Sequence, residues 1–103
     1  MKIGIFGGSF NPPHNMHTDI ANYMINQHYV DKVVFVPTGS KYAYKNNLIE
    51  EEHRYNMLKI ICNKNSNFKV SRMEIDAKDQ HYAYQTLDAF SKEYPLHSLY
   101  FII

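Results

Sequence analysis

The chain has 103 residues, of which 45% are hydrophobic and 20% are charged. This composition is typical of a single soluble globular domain, which we expect to cover residues 1–103. The formal net charge of +1 argues against a protein that binds nucleic acid through a broad basic surface. The sequence has no signal-peptide pattern and no apolar run of about 18 residues, so we expect a cytoplasmic protein with no membrane partner.

The first half of the chain alternates apolar strands with an amphipathic helix. Met1–Phe6 is short, apolar and followed by two glycines, which predicts a buried strand. After two prolines, apolar residues recur at helical spacing over Asn15–His28, which predicts an amphipathic helix. Lys32–Pro37 predicts a second buried strand, and the polar segment Thr38–Asn47 predicts a loop at its carboxyl end.

The second half continues the same alternation. A second helix is predicted over Ile49–Asn63, a third strand over Phe68–Ile75, a third helix over Tyr82–Tyr94 and a fourth strand over Leu99–Ile103. Apolar strands that alternate with amphipathic helices predict an α/β fold, in which helices cover both faces of a parallel sheet. We therefore expect a doubly wound sheet that binds ligands outside the carboxyl ends of its strands, where the strand order reverses.

The segment Gly7–His17 is the strongest candidate for a functional site. Its two glycines leave room for a ligand close to the backbone, and Ser9 adds a hydroxyl group beside them. The helix that follows begins near His14, where free N–H groups and the helix dipole favour an anion. His14 and His17 are one helical turn apart, so both imidazoles can face the same anion. The sequence therefore predicts a phosphate-binding site.

Two other interpretations of the histidine pair are open. The pair could form half of a metal site, although no carboxylate or cysteine lies near it in the sequence. The pair could also be a surface feature without function. A string of glycines, prolines and histidines after a first strand is more specific than either histidine alone.

The same segment carries a family pattern. The residues that match Gly-x-Phe-x-Pro-x-His-x-Gly-His are Gly8, Phe10, Pro12, His14 and His17, with Met16 at the position of the last glycine. The chain therefore resembles the nucleotidyltransferase superfamily that this pattern marks. The resemblance implies a Rossmann-like nucleotidyltransferase fold.

Later segments resemble one group of that superfamily, the nicotinate-nucleotide adenylyltransferases. They are similar to its lysine-bearing loop, its Arg-x-x-Met helix and its Tyr-Thr-x-x-Thr-Leu segment. The residues concerned are Phe35-Val36-Pro37, Gly39, Lys45, Arg54, Met57, Tyr82, Thr86 and Leu87. Taken from the residues alone, Arg54 follows three glutamates, and an ion pair on the helix surface is an equally good interpretation of it.

The resemblance implies adenylyl transfer from ATP, accompanied by Mg²⁺, to nicotinate mononucleotide, with deamido-NAD and pyrophosphate as products. It implies that His14 and His17 are catalytic. The residues implied to bind ATP or its phosphates are Gly7, Gly8, Ser9, Phe10 and Met16. Those implied to bind the acceptor are Lys45, Arg54 and Thr86. No resident metal site is implied.

The likeness covers only the first part of the family's length. We therefore expect a fold truncated after the fourth strand, without the family's C-terminal part. A catalytically impaired or remnant nucleotide-binding domain is an alternative function, as is another nucleotidyltransferase of the same superfamily. Because Leu99–Ile103 is apolar and would leave an open sheet edge, we also expect self-association through that edge.

Overall fold

Four parallel strands form the centre of the molecule in a computed structural model, which describes residues 1–8, 10, 13–38, 51–76, 83–93 and 98–102. The strands are β1 (Lys2–Gly8), β2 (Lys32–Pro37), β3 (Phe68–Val70) and β4 (Ser98–Ile102). The helices are α1 (Asn15–Asn26), α2 (Glu51–Asn63) and α3 (Ala83–Glu93). The strand order is β3-β2-β1-β4, and all neighbouring strands are parallel. The predicted doubly wound α/β fold is confirmed, because the order reverses between β1 and β4.

Each face of the sheet has its own apolar core. Phe35 of β2 lies in one cluster with Ala21 of α1 and Leu58 of α2. Its neighbour Val36 lies in a second cluster with Phe90 of α3. Successive residues of a strand lie on opposite faces of a sheet. Helices α1 and α2 therefore cover one face, and α3 covers the other.

Helix α1 ends earlier than the predicted His28. His28 adopts a left-handed backbone conformation with φ of 61°. Its N–H donates to the carbonyl oxygen of Ile25, and the N–H of Tyr29 donates to that of Met24, both at 3.0 Å. This pair of hydrogen bonds is the Schellman motif, which satisfies the last carbonyl groups of the helix and turns the chain toward β2.

The predicted strand Phe68–Ile75 is too long, since β3 ends at Val70. The N–H of Ser71 still donates to the carbonyl oxygen of Phe35, at 2.8 Å. The Ser71 hydroxyl then accepts the N–H of Met73, at 3.2 Å, and the chain turns. Alternating apolar residues predicted a strand here, but a serine that binds the backbone two residues further on competes with strand pairing.

Other differences in the elements are confined to their ends. The two glycines placed after the first strand are its last residues. The predicted helix and strand ends Ile49, Tyr82, Tyr94 and Ile103 lie outside the described residues. Cys62 is buried as predicted, and this burial raises the pKa of its thiol to about 11. Within the described ranges, no helix is long and apolar enough to cross a membrane.

Candidate functional site

The last two residues of β1 lie where the strand order reverses. β1 pairs with β4 as far as Phe6, which is opposite Ile102. On its other side β1 pairs with β2 as far as Gly8, which is opposite Pro37. Among the described strands, Gly7 and Gly8 therefore have a partner on the β2 side only. The β4 side is the crevice in which doubly wound sheets bind ligands.

Gly7 faces open space at the end of β1, on the face of the sheet that α3 covers, because Ile5 of the same strand lies in the cluster with Phe90. Among the described residues other than its chain neighbours, no heavy atom lies within 4 Å of a Cβ atom added to Gly7, and the φ of Gly7 is not positive. Gly4, in the middle of the same strand, differs: a Cβ atom there would lie 2.9 Å from Cδ1 of Ile102 and 3.2 Å from Cγ1 of Val30. A side chain at position 4 would require Ile102 and Val30 to shift. At Gly7 neither packing among the described residues nor backbone conformation requires a glycine.

His14 and His17 cap the start of helix α1 reciprocally. The Nδ1 atom of His14 accepts the N–H of Met16 at 3.2 Å. The Nδ1 atom of His17 accepts the N–H of His14 at 3.0 Å, which completes a capping box. The two ring centroids lie 4.0 Å apart with an angle of 31° between the planes. The structure therefore holds the two imidazoles side by side at one helix end.

The first turn of α1 offers fewer free N–H groups than we expected. The N–H groups of His14 and Met16 are bonded to imidazole nitrogens. The N–H of His17 donates to the carbonyl oxygen of His14 at 3.0 Å. The expectation of free helix N–H groups is therefore wrong for these three residues, because their own side chains and backbone satisfy the hydrogen bonds that a ligand would otherwise make.

The Phe10 ring packs against the His17 imidazole. Phe10 has a positive φ of 47°, and its side chain is only 2% exposed. Its ring centroid lies 5.6 Å from that of Phe35 and 4.8 Å from that of His17. Burial of His17, followed by the charge of His14, lowers the pKa of the His17 imidazole below its ordinary value of 6.5. The predicted contact between Phe10 and ATP stays a prediction, since the ring faces the core.

Arg54 of α2 lies near the carboxyl end of β2, where it contacts Thr38. Its residue is fully buried, and its Nη1 atom donates to the Thr38 hydroxyl at 3.4 Å. The N–H of Thr38 donates to the carbonyl oxygen of Gly8 at 2.9 Å. Thr38 thus links α2 to the candidate site, a role that we did not predict. The available signal was its position directly after Pro37, at the carboxyl end of a buried strand.

Arg54 does not lie on the helix surface, because its residue is fully buried, and the neighbouring Glu52 is bound by Arg72. The Arg72 guanidinium binds Glu52 through two hydrogen bonds, of 2.6 and 2.9 Å. It also binds Asp76 at 3.2 Å and lies 4.7 Å from the ring centroid of Tyr55. The hydrogen bond from Arg72 lowers the pKa of Glu52. This cluster holds the turn after β3 against the helix that carries Arg54.

The remaining predicted site residues are Ser9, Lys45, Thr86 and Met16. Ser9 and Lys45 lie outside the described residues. Thr86 belongs to α3, but its side chain is not among those described. Met16, at the start of α1, is 63% exposed. Among the side chains that the structure describes, no group of three His, Cys, Asp or Glu residues could hold a metal ion. The predicted ligand contacts of these residues stay predictions.

Comparison with known proteins gives consistent results. The model of the cytidylyltransferase-like family matches residues 5–103. The chain is 37% identical over 102 residues to a probable nicotinate-nucleotide adenylyltransferase from Clostridium tetani, covering 98% of this chain and 51% of the relative. It is 41% identical over 104 residues to one from Maridesulfovibrio salexigens, covering 100% of this chain and 48% of the relative. The chain thus spans about half the length of these curated relatives.

A solved structure with a similar fold is that of Plasmodium falciparum nicotinic acid mononucleotide adenylyltransferase complexed with NaAD. The TM-score is 0.77 and the sequence identity is 24%, over 97% of this chain and 50% of that chain. At this identity the likeness shows the fold.

Proposed function

Because the chain belongs to the cytidylyltransferase-like family, we propose that it transfers the adenylyl group of ATP to nicotinate mononucleotide. The products are deamido-NAD and pyrophosphate, and the reaction belongs to NAD biosynthesis. The observation that carries the proposal is the pair of imidazoles at the end of β1, with ring centroids 4.0 Å apart. Identities of 37% and 41% to curated nicotinate-nucleotide adenylyltransferases support the choice of substrates.

In the proposed reaction, a phosphate oxygen of nicotinate mononucleotide attacks the α-phosphorus of ATP. A new P–O bond forms there while the bond to the oxygen that bridges to the β-phosphorus breaks. The electron pair of the broken bond leaves with pyrophosphate. The attacking phosphate is already an anion, so no side chain has to remove a proton from it. The protein's task is to align the two phosphates and to balance their charge.

The described residues are suited to that task. Gly7 and Gly8 carry no side chains at the end of β1, which leaves the backbone there accessible to a triphosphate. His14 and His17 supply hydrogen-bond donors for the charge that develops on the phosphate oxygens. Mg²⁺ enters as the counter-ion of ATP, as part of the substrate. Arg54 supports the site through Thr38, and its contact with the acceptor remains part of the proposal.

Pyrophosphate release in the presence of ATP, Mg²⁺ and nicotinate mononucleotide tests the proposal. We expect turnover, and we expect His17→Ala to lower kcat by about 10²- to 10³-fold, the usual effect of removing one donor from a developing charge. The matched control is His28→Asn, which removes an imidazole from the opposite end of α1 and keeps turnover. Mass spectrometry identifies deamido-NAD as the product.

Three results would count against the proposal. Turnover that is equal in His17→Ala and the unsubstituted chain contradicts the catalytic role of His17. A faster reaction with CTP than with ATP contradicts the adenylyl donor. If ATP raises the melting temperature but no pyrophosphate is released, the chain binds the nucleotide without catalysing the transfer.

A further inference from the structure

The first turn of α2 is held at the carboxyl edge of the sheet by contacts from two neighbouring strand ends. Arg54 donates to the hydroxyl of Thr38, the first residue after β2. Glu52 accepts two hydrogen bonds from Arg72, which lies two residues after Val70, the end of β3. Doubly wound sheets bind ligands at this edge. The two contacts therefore fix a helical turn that lies on the same edge as the candidate site.

The Arg72 guanidinium joins two carboxylates. Its Nη1 and Nη2 atoms donate to the two oxygens of Glu52, at 2.9 and 2.6 Å. Its Nε atom donates to both oxygens of Asp76 at 3.3 Å, and Nη2 donates to Oδ1 of Asp76 at 3.2 Å. The guanidinium carbon lies 4.7 Å from the ring centroid of Tyr55, within the range of a cation–π contact. The planar group thus has carboxylates along its edges and an aromatic ring against one face.

This network differs from an ordinary exposed ion pair. A single exposed pair contributes little to stability, because the entropy lost in ordering two long side chains offsets much of their attraction. Here one ordered arginine contacts three side chains, and the bidentate geometry fixes the direction of approach. The pair formed by Lys92 and Asp88 on α3 is of the ordinary kind, a single contact of 3.3 Å between side chains that are 79% and 67% exposed.

The network also fixes the position of Arg54. The two α2 residues that Arg72 contacts are one helical turn apart, and Arg54 lies between them in the chain. Arg72 holds this turn from the side of β3, while Arg54 contacts Thr38 on the side of β2. The N–H of Thr38 donates to the carbonyl oxygen of Gly8 at 2.9 Å. Because helix ends fray, a turn released from Arg72 would let Arg54 move relative to Thr38 and the end of β1.

We propose that Arg72 is a positioning residue of the candidate site, which fixes the first turn of α2 and thereby holds Arg54 against Thr38. In this role Arg72 touches no substrate and acts through Arg54. The functional consequence rests on the proposed function, in which Arg54 contacts nicotinate mononucleotide. The coupling between Arg72 and Thr38 rests on the geometry alone.

Thermal melting of a double-mutant cycle tests the coupling without any substrate. Arg72→Gln removes the guanidinium, and Thr38→Val removes the hydroxyl but keeps the shape of the side chain. Because both changes release the same turn of α2, we expect the double variant to lose less melting temperature than the sum of the two single decreases. The matched control combines Thr38→Val with Lys92→Gln, which removes an exposed ion pair on the opposite face of the sheet. Decreases that add in both cycles overturn the coupling.

Steady-state kinetics, measured well below the melting temperature, tests the positioning of Arg54. We expect Arg72→Gln to raise the KM for nicotinate mononucleotide roughly 3- to 10-fold, while kcat and the KM for ATP stay within about twofold. Partial unfolding would instead lower kcat and leave both KM values unchanged. Arg72→Lys keeps the charge but cannot bridge both carboxylates in the same way, so its KM should be intermediate. Lys92→Gln should leave both KM values unchanged.

The outcomes separate this inference from the proposed function. Turnover with an unchanged KM for nicotinate mononucleotide in Arg72→Gln contradicts the positioning role, although the proposed function stands. An equal rise in both KM values contradicts it as well. If Arg72→Lys behaves like the unsubstituted chain, the charge alone is sufficient and the bridge between carboxylates is wrong. If the unsubstituted chain shows no turnover, the proposed function fails, and the melting cycle alone decides whether Arg72 holds the turn that carries Arg54.

Discussion

At the scale of single residues, Gly4 and Gly7 of β1 show two different reasons for a glycine. Gly4 lies between Val30 and Ile102, where a methyl group would be 2.9 Å from Cδ1 of Ile102. Among the described residues, Gly7 has no such neighbour within 4 Å. The first glycine serves the packing of the sheet. The second leaves open space on the α3 face at the end of β1.

The contrast leads to a prediction for Gly7→Ala. Because the added methyl group meets no protein atom, the free energy of unfolding should stay equal or rise by up to about 1 kcal/mol. Urea denaturation measures this effect. Gly4→Ala is the control that loses stability, and a similar loss in Gly7→Ala would contradict the prediction.

The lowered pKa of His17 predicts that the stability of the fold depends on pH. Its pKa is lower in the folded protein than the ordinary value of 6.5, so the unfolded chain binds the proton more readily. The resulting contribution to stability is complete above pH 6.5 and is lost as the pH falls through the lower pKa of the folded state. The melting temperature should therefore decrease on acidification in this range. His17→Gln should show a shallower decrease, and an unchanged slope would contradict the assignment.

Sequence reasoning identified the histidine pair but not its hydrogen bonds. The spacing of His14 and His17 is one helical turn, and this alone predicts that the rings are neighbours. Histidine is not among the preferred N-cap residues, so nothing in the sequence predicted that both Nδ1 atoms would bind the backbone. The burial of Arg54 was also unpredictable, because it depends on how α2 packs against β2 and on the position of Thr38.

At the scale of elements, the best-predicted strand is β2. Lys32–Pro37 was predicted with the bounds that the structure has. Its continuous apolar run is a strong signal, and its proline marks the end. β3 was predicted too long, because apolar alternation continues past Val70 although the Ser71 hydroxyl captures a backbone N–H. Local side-chain hydrogen bonds can thus end a strand that the hydrophobic pattern would continue.

The end of α1 provides a prediction about stability. His28 adopts φ of 61°, a conformation that costs residues with a Cβ atom roughly 1–2 kcal/mol. His28→Gly removes this cost but adds entropy to the unfolded chain, so we expect a net gain of about 0.5–1 kcal/mol in the free energy of unfolding. His28→Val should lose stability, because branched side chains fit this conformation poorly. Guanidinium denaturation that ranks Val at or above Gly would contradict the Schellman assignment.

At the scale of the whole molecule, the alternation of apolar strands and amphipathic helices was sufficient to predict the fold class. The strand order β3-β2-β1-β4 agrees with the predicted crevice beside β1. The division of the helices between the two faces could not be predicted from periodicity, because strands buried on both sides carry no alternating pattern. It follows from the separate clusters around Phe35 and Val36.

The exposed side of β4 bears on the predicted self-association. β4 is the outer strand of the described sheet, and its Tyr100 and Phe101 are 44% and 38% exposed. Exposed aromatic residues on the outer strand of a sheet favour pairing with a second copy. We expect light scattering to show a species larger than one chain. Phe101→Lys should shift it toward the monomer, and a monomer at every concentration of the unsubstituted chain would contradict the prediction.

The central position of β1 affects the order in which a newly synthesised chain can fold. A ribosome delivers about 5–20 residues per second, so β1 meets β2 soon after both have emerged. The pairing of β1 with β4 joins Lys2 to Ser98, and such distant contacts form slowly because a long segment must close first. The crevice beside Gly7 therefore gains its second wall only after β4 has emerged. Until then, a nascent chain cannot enclose a nucleotide between β1 and β4.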